Sequence, residues 1–204
     1  MYKRQARVKS WILKKFDNET QNGPLDLVNP AAAEKYGYPL SLWTYDEGLR
    51  GRLSSALYVA SREGAQTAPT DVTFEYSDVD LAVHKTFRFG DSYVVKVETS
   101  VVYKGDEVAA LPAWPSGFGD QTTPVNYAAG LIVYQFNNNI ERPPLACGFF
   151  SFLSRCVPVS AGGTIPGPFQ WAGPTDQYFA AVFIPDDPGT VSYTHLTLPT
   201  TERV

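Results

Sequence analysis

Apolar and polar positions alternate along this chain in short stretches rich in Val, Tyr, Phe and Thr, separated by Gly, Pro and Asp clusters. A period of two puts every second side chain on one face of a strand, so the pattern predicts antiparallel sheets in a sandwich rather than alternating strands and helices. The expected strands run from Val8 to Phe16, Leu40 to Thr44, Leu57 to Ala60, Val72 to Tyr76, Leu81 to Phe89, Tyr93 to Tyr103, Tyr127 to Phe136 and Gln177 to Ile184. One short helix is expected from Asn29 to Gly37, with Asn29 as N-cap, Pro30 at the first helical position, three alanines and a glycine stop. A helix that short serves only as a connector, because its isolated stability is marginal.

The clearest local unit is the pair LAVHKTFRF and YVVKVETSV, joined around Gly90-Asp91. Leu81, Val83, Phe87 and Phe89 share one face of the first strand, and Tyr93, Val95, Val97 and Val101 share one face of the second. The two faces coincide only if opposed residue numbers sum to an even value, since a one-residue slip inverts a strand. Phe87 opposite Tyr93 and Val83 opposite Val97 satisfy this, with a three-residue loop and Gly90 in a left-handed conformation. His84 then falls on the other face, opposite Lys96 and near Glu98.

Charge changes the picture by exclusion. With 17 Lys+Arg against 21 Asp+Glu the chain is acidic, which argues against a surface that neutralises nucleic-acid phosphates or anionic lipid. Its apolar runs, such as Leu145 to Phe150, fall far short of the roughly 20 residues needed to span a bilayer, so no membrane helix is expected. The opening MYKRQARVKSWILKKF is charged throughout and lacks the apolar centre of a signal peptide. Both ends differ in composition from the rest. VSYTHLTLPT resembles a translated transposase adapter from DNA library preparation, and MYKRQ resembles the opposite strand of that adapter. Residues 1–5 and 191–204 are therefore expected to be adapter scars flanking a genuine insert, residues 6–190, whose sole histidine is His84 and which is expected to be a fragment of a longer chain.

Candidate chemistry is sparse. A lone histidine lacks the partners of a metal cluster, and a solvent-facing strand residue is the better reading of His84. Asp78/Asp80 and Asp186/Asp187 lack the glycine-anchored regularity of a calcium loop and read as solvated turns. Ser151 and Ser154 sit in no nucleophile elbow, and Gly162-Gly163 is followed by no phosphate-binding Lys-Ser/Thr. Neither a catalytic residue nor a metal or cofactor site is expected. Cys147 and Cys156 would close a small loop in an oxidising compartment, contributing roughly 2–3 kcal/mol, and would be inert buried hydrophobes in a reducing one. Trp43, Trp114 and Trp171 lie in loop-like contexts; an aromatic cleft built on Trp114, Trp171 and Tyr178 competes there with simple core plugging, which is favoured.

Three stretches carry a resemblance: KKFDNETQNGPLDLVNPAAAEKYGYPLSLWTYDEGLRGRLSSALYV, then HKTFRFGDSYVVKVETSVVYKGDEV, then TIPGPFQWAGPTDQYFAAVFIPDDP. Their ordered features are a Lys-Thr-Phe strand leading to a Ser-Tyr-Val-Val hairpin and a segment with Trp171, Gly173, Asp176, Gln177, Tyr178 and Phe179 that ends at Ile184-Pro185. Together they resemble the large periplasmic domain of YidC-type membrane protein insertases. Arg142 to Ala161 departs from that family's usual polar loop, which puts the two cysteines in doubt as functional features.

The resemblance implies an all-β antiparallel supersandwich, similar to the galactose-mutarotase group and here incomplete. It implies a Gram-negative inner-membrane parent, with one membrane helix upstream, the sampled domain at the periplasmic face and a five-helix insertion core downstream. It also implies a docking and chaperone-like role toward the Sec translocon's accessory subunits and nascent membrane proteins, without enzymatic activity. Two other classes compete: a periplasmic carbohydrate- or peptide-binding module, and a mutarotase-like sugar enzyme. The enzyme would need an acid and a base held together in a cleft, which a cleft pairing His84 with a carboxylate would supply.

Overall fold

A computed structural model describes residues 5–18, 21–116, 131–142, 145–146, 157–158, 163–175, 178–187 and 193–196. In chain order its elements are β1 (Ile12–Asp17), β2 (Pro24–Asp26), α1 (Pro30–Tyr36), β3 (Ser41–Trp43), α2 (Glu47–Ser55), β4 (Val59–Ala60), β5 (Thr70–Ser77) and β6 (Leu81–Phe89). There follow β7 (Val95–Tyr103), β8 (Asp106–Glu107), β9 (Leu111–Ala113), β10 (Leu131–Phe136), β11 (Asn139–Glu141), β12 (Leu145–Ala146), β13 (Val157–Pro158), β14 (Gly163–Pro166), β15 (Trp171–Thr175) and β16 (Tyr193–Leu196). Every strand pairing among them is antiparallel, and the chain is of the all-β class. The chain divides into two compact units, Met1–Val8 with Pro39–Ala113 and Lys9–Tyr38 with Trp114–Val204.

The first unit is built on a five-stranded sheet of order β4-β5-β6-β7-β8, accompanied by the pair β3-β9. Its core forms because the odd positions of β6 point inward and all but Lys85 are apolar: Leu81, Val83 and Phe87 are buried, with Val101 opposite Val83 on β7. Helix α2 contributes Leu49 and Leu53, one turn apart on one face, and Leu42, Tyr58 and Ala110 complete the cluster. Burying each leucine contributes about 1.5–3 kcal/mol.

The central hairpin has the expected parity but another register. Phe87 faces Val97 and Val83 faces Val101, so the loop is five residues, 90 to 94, and His84 lies opposite Ser100 rather than Lys96. Parity follows from burial, which every even slip preserves. The remaining choice was settled at the loop, where Tyr93 and Val94 are left exposed instead of paired.

Among the described residues there are two helices, one more than the sequence predicts. Helix α2 was hidden by Gly48 and Gly51, each of which costs about 1 kcal/mol of helix propensity. Its start is nevertheless well specified: the Asp46 carboxylate accepts from the Leu49 N–H at 2.9 Å. Strand β9 was hidden by Pro112, which is tolerated because β9 pairs with β3 alone in a two-stranded sheet.

In the second unit, β1 pairs with β2, and β10 lies between β11 and β15. Helix α1 has the expected caps: Asn29 Oδ1 accepts from the Ala32 N–H at 3.1 Å, and Gly37, at φ 111°, donates to the Ala33 carbonyl. Leu25 and Leu27 are buried beneath Trp11, Leu13, Trp114, Phe179 and Ala181. In place of a continuous strand from Gln177 to Ile184, the described residues form two isolated bridges, Ala172 with Phe183 and Thr175 with Ala180. Strand β16 pairs with β14, and β12 with β13.

Candidate functional site

Strand alternation sends Ala82, His84 and Arg88 of β6 to the solvent side of the five-stranded sheet, where His84 and Arg88 meet charged partners on the neighbouring strands. Arg88 donates to Glu98 on β7 at 2.7 Å and lies 3.7 Å from Asp71 on β5. Lys96 lies 3.5 Å from Glu98. The Glu98 carboxyl is held below its ordinary range, chiefly by the hydrogen bond from Arg88. His84 Nδ1 stands 3.1 Å from Glu75 Oε1, its Nε2 is 3.4 Å from Thr86 Oγ1, and Thr86 Oγ1 is 2.9 Å from Thr73 Oγ1.

The His84–Glu75 contact has the order of an acid–base relay, and its surroundings decide what it does. Both side chains are more than half exposed on an open sheet face, so water competes for every proton. Among the described residues no group of three or more His, Cys, Asp or Glu is placed to hold a metal ion. The face offers alternating ion pairs and hydroxyls, a surface able to engage a polar partner.

At one end of this sheet, α2 is tied to the β5–β6 turn. Arg52 reaches Asp78 at 3.0 Å and Asp80 at 2.6 Å, the Tyr76 hydroxyl donates to Asp78 at 2.6 Å, and the Asp78 carboxylate also accepts from the backbone N–H of Leu81 at 2.9 Å. The adjacent β7–β8 turn is joined on by the Lys104 N–H, which donates to the Asp80 carbonyl at 2.7 Å. The carboxyl of Asp78 is held well below its usual range, first by the Tyr76 hydroxyl, then by backbone N–H groups and Arg52, against an opposing desolvation. Reciprocally, that bond raises the Tyr76 phenol. In the sequence Asp78 and Asp80 read as solvated turn residues, and nothing in the spacing announces a partner 26 or 28 residues upstream.

A prediction follows from this knot. The folded pKa of Asp78 is depressed, so its stabilising contribution is full above the ordinary carboxylate value and fades as pH falls toward the folded one. Asp78→Asn is expected to remove that acid-sensitive part and to bring the Tyr76 phenol back toward its ordinary value. Ultraviolet phenolate titration of the wild type and the variant, beside a Tyr76→Phe reference, measures the shift; an unchanged Tyr76 titration would refute the coupling.

The aromatic candidates lie in the second unit and are distributed differently. Trp114 packs on Trp11, with ring centroids 6.0 Å apart, within the cluster over Leu25 and Leu27. Trp171 is half-buried at the start of β15, paired with Gln135. Tyr178 is 78% exposed, while the next residue, Phe179, turns inward edge-on to Phe16 at 5.1 Å. Trp43 belongs to the first unit and packs edge-on against Tyr45. Cys147 and Cys156 lie outside the described residues.

These arrangements supply surfaces for contact, and the chain's relatives give them a setting. The family model described as the YidC periplasmic domain matches residues 2–129, more than half of the 204-residue chain. The chain belongs to the YidC periplasmic domain family. The matched span contains the whole five-stranded sheet, helix α2 and the Arg52 knot. The resembling segment around Trp171 and Gly173 lies beyond it, and residues 2–5 lie within it. No curated protein and no solved structure matches the chain. As a YidC-type periplasmic domain it is assigned to the periplasm, and among the described residues no helix is long and apolar enough to cross a membrane.

Proposed function

We propose that this domain serves a membrane protein insertase of the Gram-negative inner membrane as a docking and chaperone-like module, acting by binding and without a catalytic step of its own. Family membership is the observation that carries this reading. In it, residues 6–190 are the partial domain, residues 1–5 and 191–204 are foreign to it, and the insertion core belongs to other parts of the parent chain. Its partners are the Sec translocon's accessory subunits and nascent membrane proteins.

The polar face of the five-stranded sheet supports the docking part. Its charges of both signs are held in place by cross-strand pairing, so a partner meets a preorganised surface. A photoreactive amino acid at Glu75, Ser100 or Lys96, in the full insertase within membranes, is expected to give an adduct with a Sec accessory subunit. Charge-reversed Arg88→Glu should weaken that adduct several-fold. Absence of a Sec adduct from all three positions, with the insertase still assembled, would overturn the docking role.

A further inference from the structure

Lys85 occupies an inward-facing position of β6 amid the apolar side chains of the sheet and is 1% exposed. Its Nζ donates to the Ala6 carbonyl at 3.0 Å and to the Leu40 carbonyl, two points on different stretches of chain. Leu40 adopts φ 58°, a left-handed conformation that a leucine takes only at a cost, and this carbonyl is one of the amine's two acceptors. Near these contacts the Val8 N–H donates to the Pro39 carbonyl and the Leu40 N–H to the Ala113 carbonyl. The amine therefore stands at the junction of the N-terminal segment, the approach to β3 and the sheet.

We propose that Lys85 is a pH-sensitive latch: it holds the N-terminal segment at Ala6 and the approach to β3 onto the sheet, and proton uptake by its amine releases them.

Among the described residues no charged side chain faces the amine. From β5 it faces Phe74, from β7 Thr99, from β6 itself Val83 and Phe87, and from the latched stretches Ala6 and Leu40. None of these side chains titrates, and the Phe87 ring lies 5.0 Å from Nζ. Burial lowers the ammonium from 10.5 to about 7, with desolvation as the sole cause. A neutral amine keeps two N–H donors, enough for both carbonyls, so the latch is satisfied when closed and uncharged. Opening admits water, restores the ordinary basicity and takes up a proton. The open state is thus favoured as pH falls from 10.5 toward 7, and the effect levels off below 7, where both states are protonated.

Amide hydrogen exchange of the 204-residue chain tests this, with intrinsic rates corrected for pH. The N–H groups of Val8 and Leu40 should exchange through a local opening of lower free energy than the β6–β7 ladder, insensitive to low urea. The population of that opening should rise about twentyfold between pH 8.5 and pH 6.5. In Lys85→Met the pH dependence should vanish. A local opening that is independent of pH, one that keeps its pH dependence in Lys85→Met, or exchange of Val8 and Leu40 only through global unfolding would overturn the proposal. So would a Lys85 side chain whose carbon-detected NMR titration has its midpoint near the ordinary 10.5, a measurement on the wild type that holds even if the Met variant fails to fold.

Discussion

Raising the pH from 7 to 9.5 is expected to stabilise the first unit by about 3 kcal/mol, and Lys85→Met is expected to abolish that gain. The sign follows from the direction of the shift. Lys85 has a folded pKa of about 7 against 10.5 unfolded, so over this interval the unfolded chain binds more protons than the folded one and stability climbs with pH. The interval stops short of the tyrosines, because Tyr58, raised to about 12 mainly by burial, destabilises the fold with the opposite sign once pH passes 10. Methionine has nearly the volume of lysine and no charge to desolvate, but it leaves the carbonyls of Ala6 and Leu40 without their donor, at roughly 1–3 kcal/mol each. The absolute stability of the variant therefore depends on pH relative to wild type, and the slope is the decisive quantity. Urea unfolding followed at the Trp43 indole resonance, at half-unit pH steps, gives both slopes. Equal slopes in wild type and variant would show that Lys85 is not the titrating group.

The second large effect is expected at Gly173. In the second unit the segment Ala180–Phe183 lies against β15, with Ala172 and Phe183 exchanging hydrogen bonds at 3.0 and 2.7 Å and the Ala181 N–H donating to the Pro174 carbonyl at 3.0 Å. A Cβ at position 173 would overlap the Ala181 carbonyl oxygen and come within 2.8 Å of Val182 Cα. The obstruction is backbone, which cannot swing aside as a side chain can. Gly173→Ala should therefore displace residues 180–183, at a cost on the order of 3 kcal/mol, with loss of protection at the Ala181 and Phe183 amides. Gly51→Ala is the contrasting control: a Cβ there meets nothing within 4 Å, so a helical gain of up to about 1 kcal/mol is expected. Thermal melts of the two variants should move in opposite directions, and a Gly173→Ala chain that melts with wild type would refute the close approach.

Gly173 also shows what the sequence made legible. The Trp-x-Gly segment was recognisable as a motif, and its physical content emerged only with the neighbouring backbone, which no spacing rule supplies. Strands β4 to β7 of the central sheet, the apolar faces of β6 and β7 and helix α1 were legible because alternation and caps are local signals, whereas the two-residue β8 is too short to show either. Helix α2 was not, since its two glycines masked a leucine pair whose helical spacing is meaningful only once a sheet lies beneath it. Lys85 was passed over for a related reason. It was visible only as the start of the Lys-Thr-Phe motif, and the face of its strand was assigned from Leu81, Val83, Phe87 and Phe89 alone. The partners of Arg52 and the carbonyls that hold Lys85 are 26 to 79 residues away in sequence, beyond any periodicity.

The docking role proposed for this domain requires that its parent chain be a YidC-type insertase. Long-read sequencing of the source DNA across both junctions, upstream of Ala6 and downstream of Thr190, tests this most directly. The predicted result is an open frame with an apolar helix encoded before the domain and a five-helix membrane core after it, neither adapter-like end being part of the gene. A frame that opens with a cleavable signal peptide and closes at a stop codon beside Thr190 would contradict it.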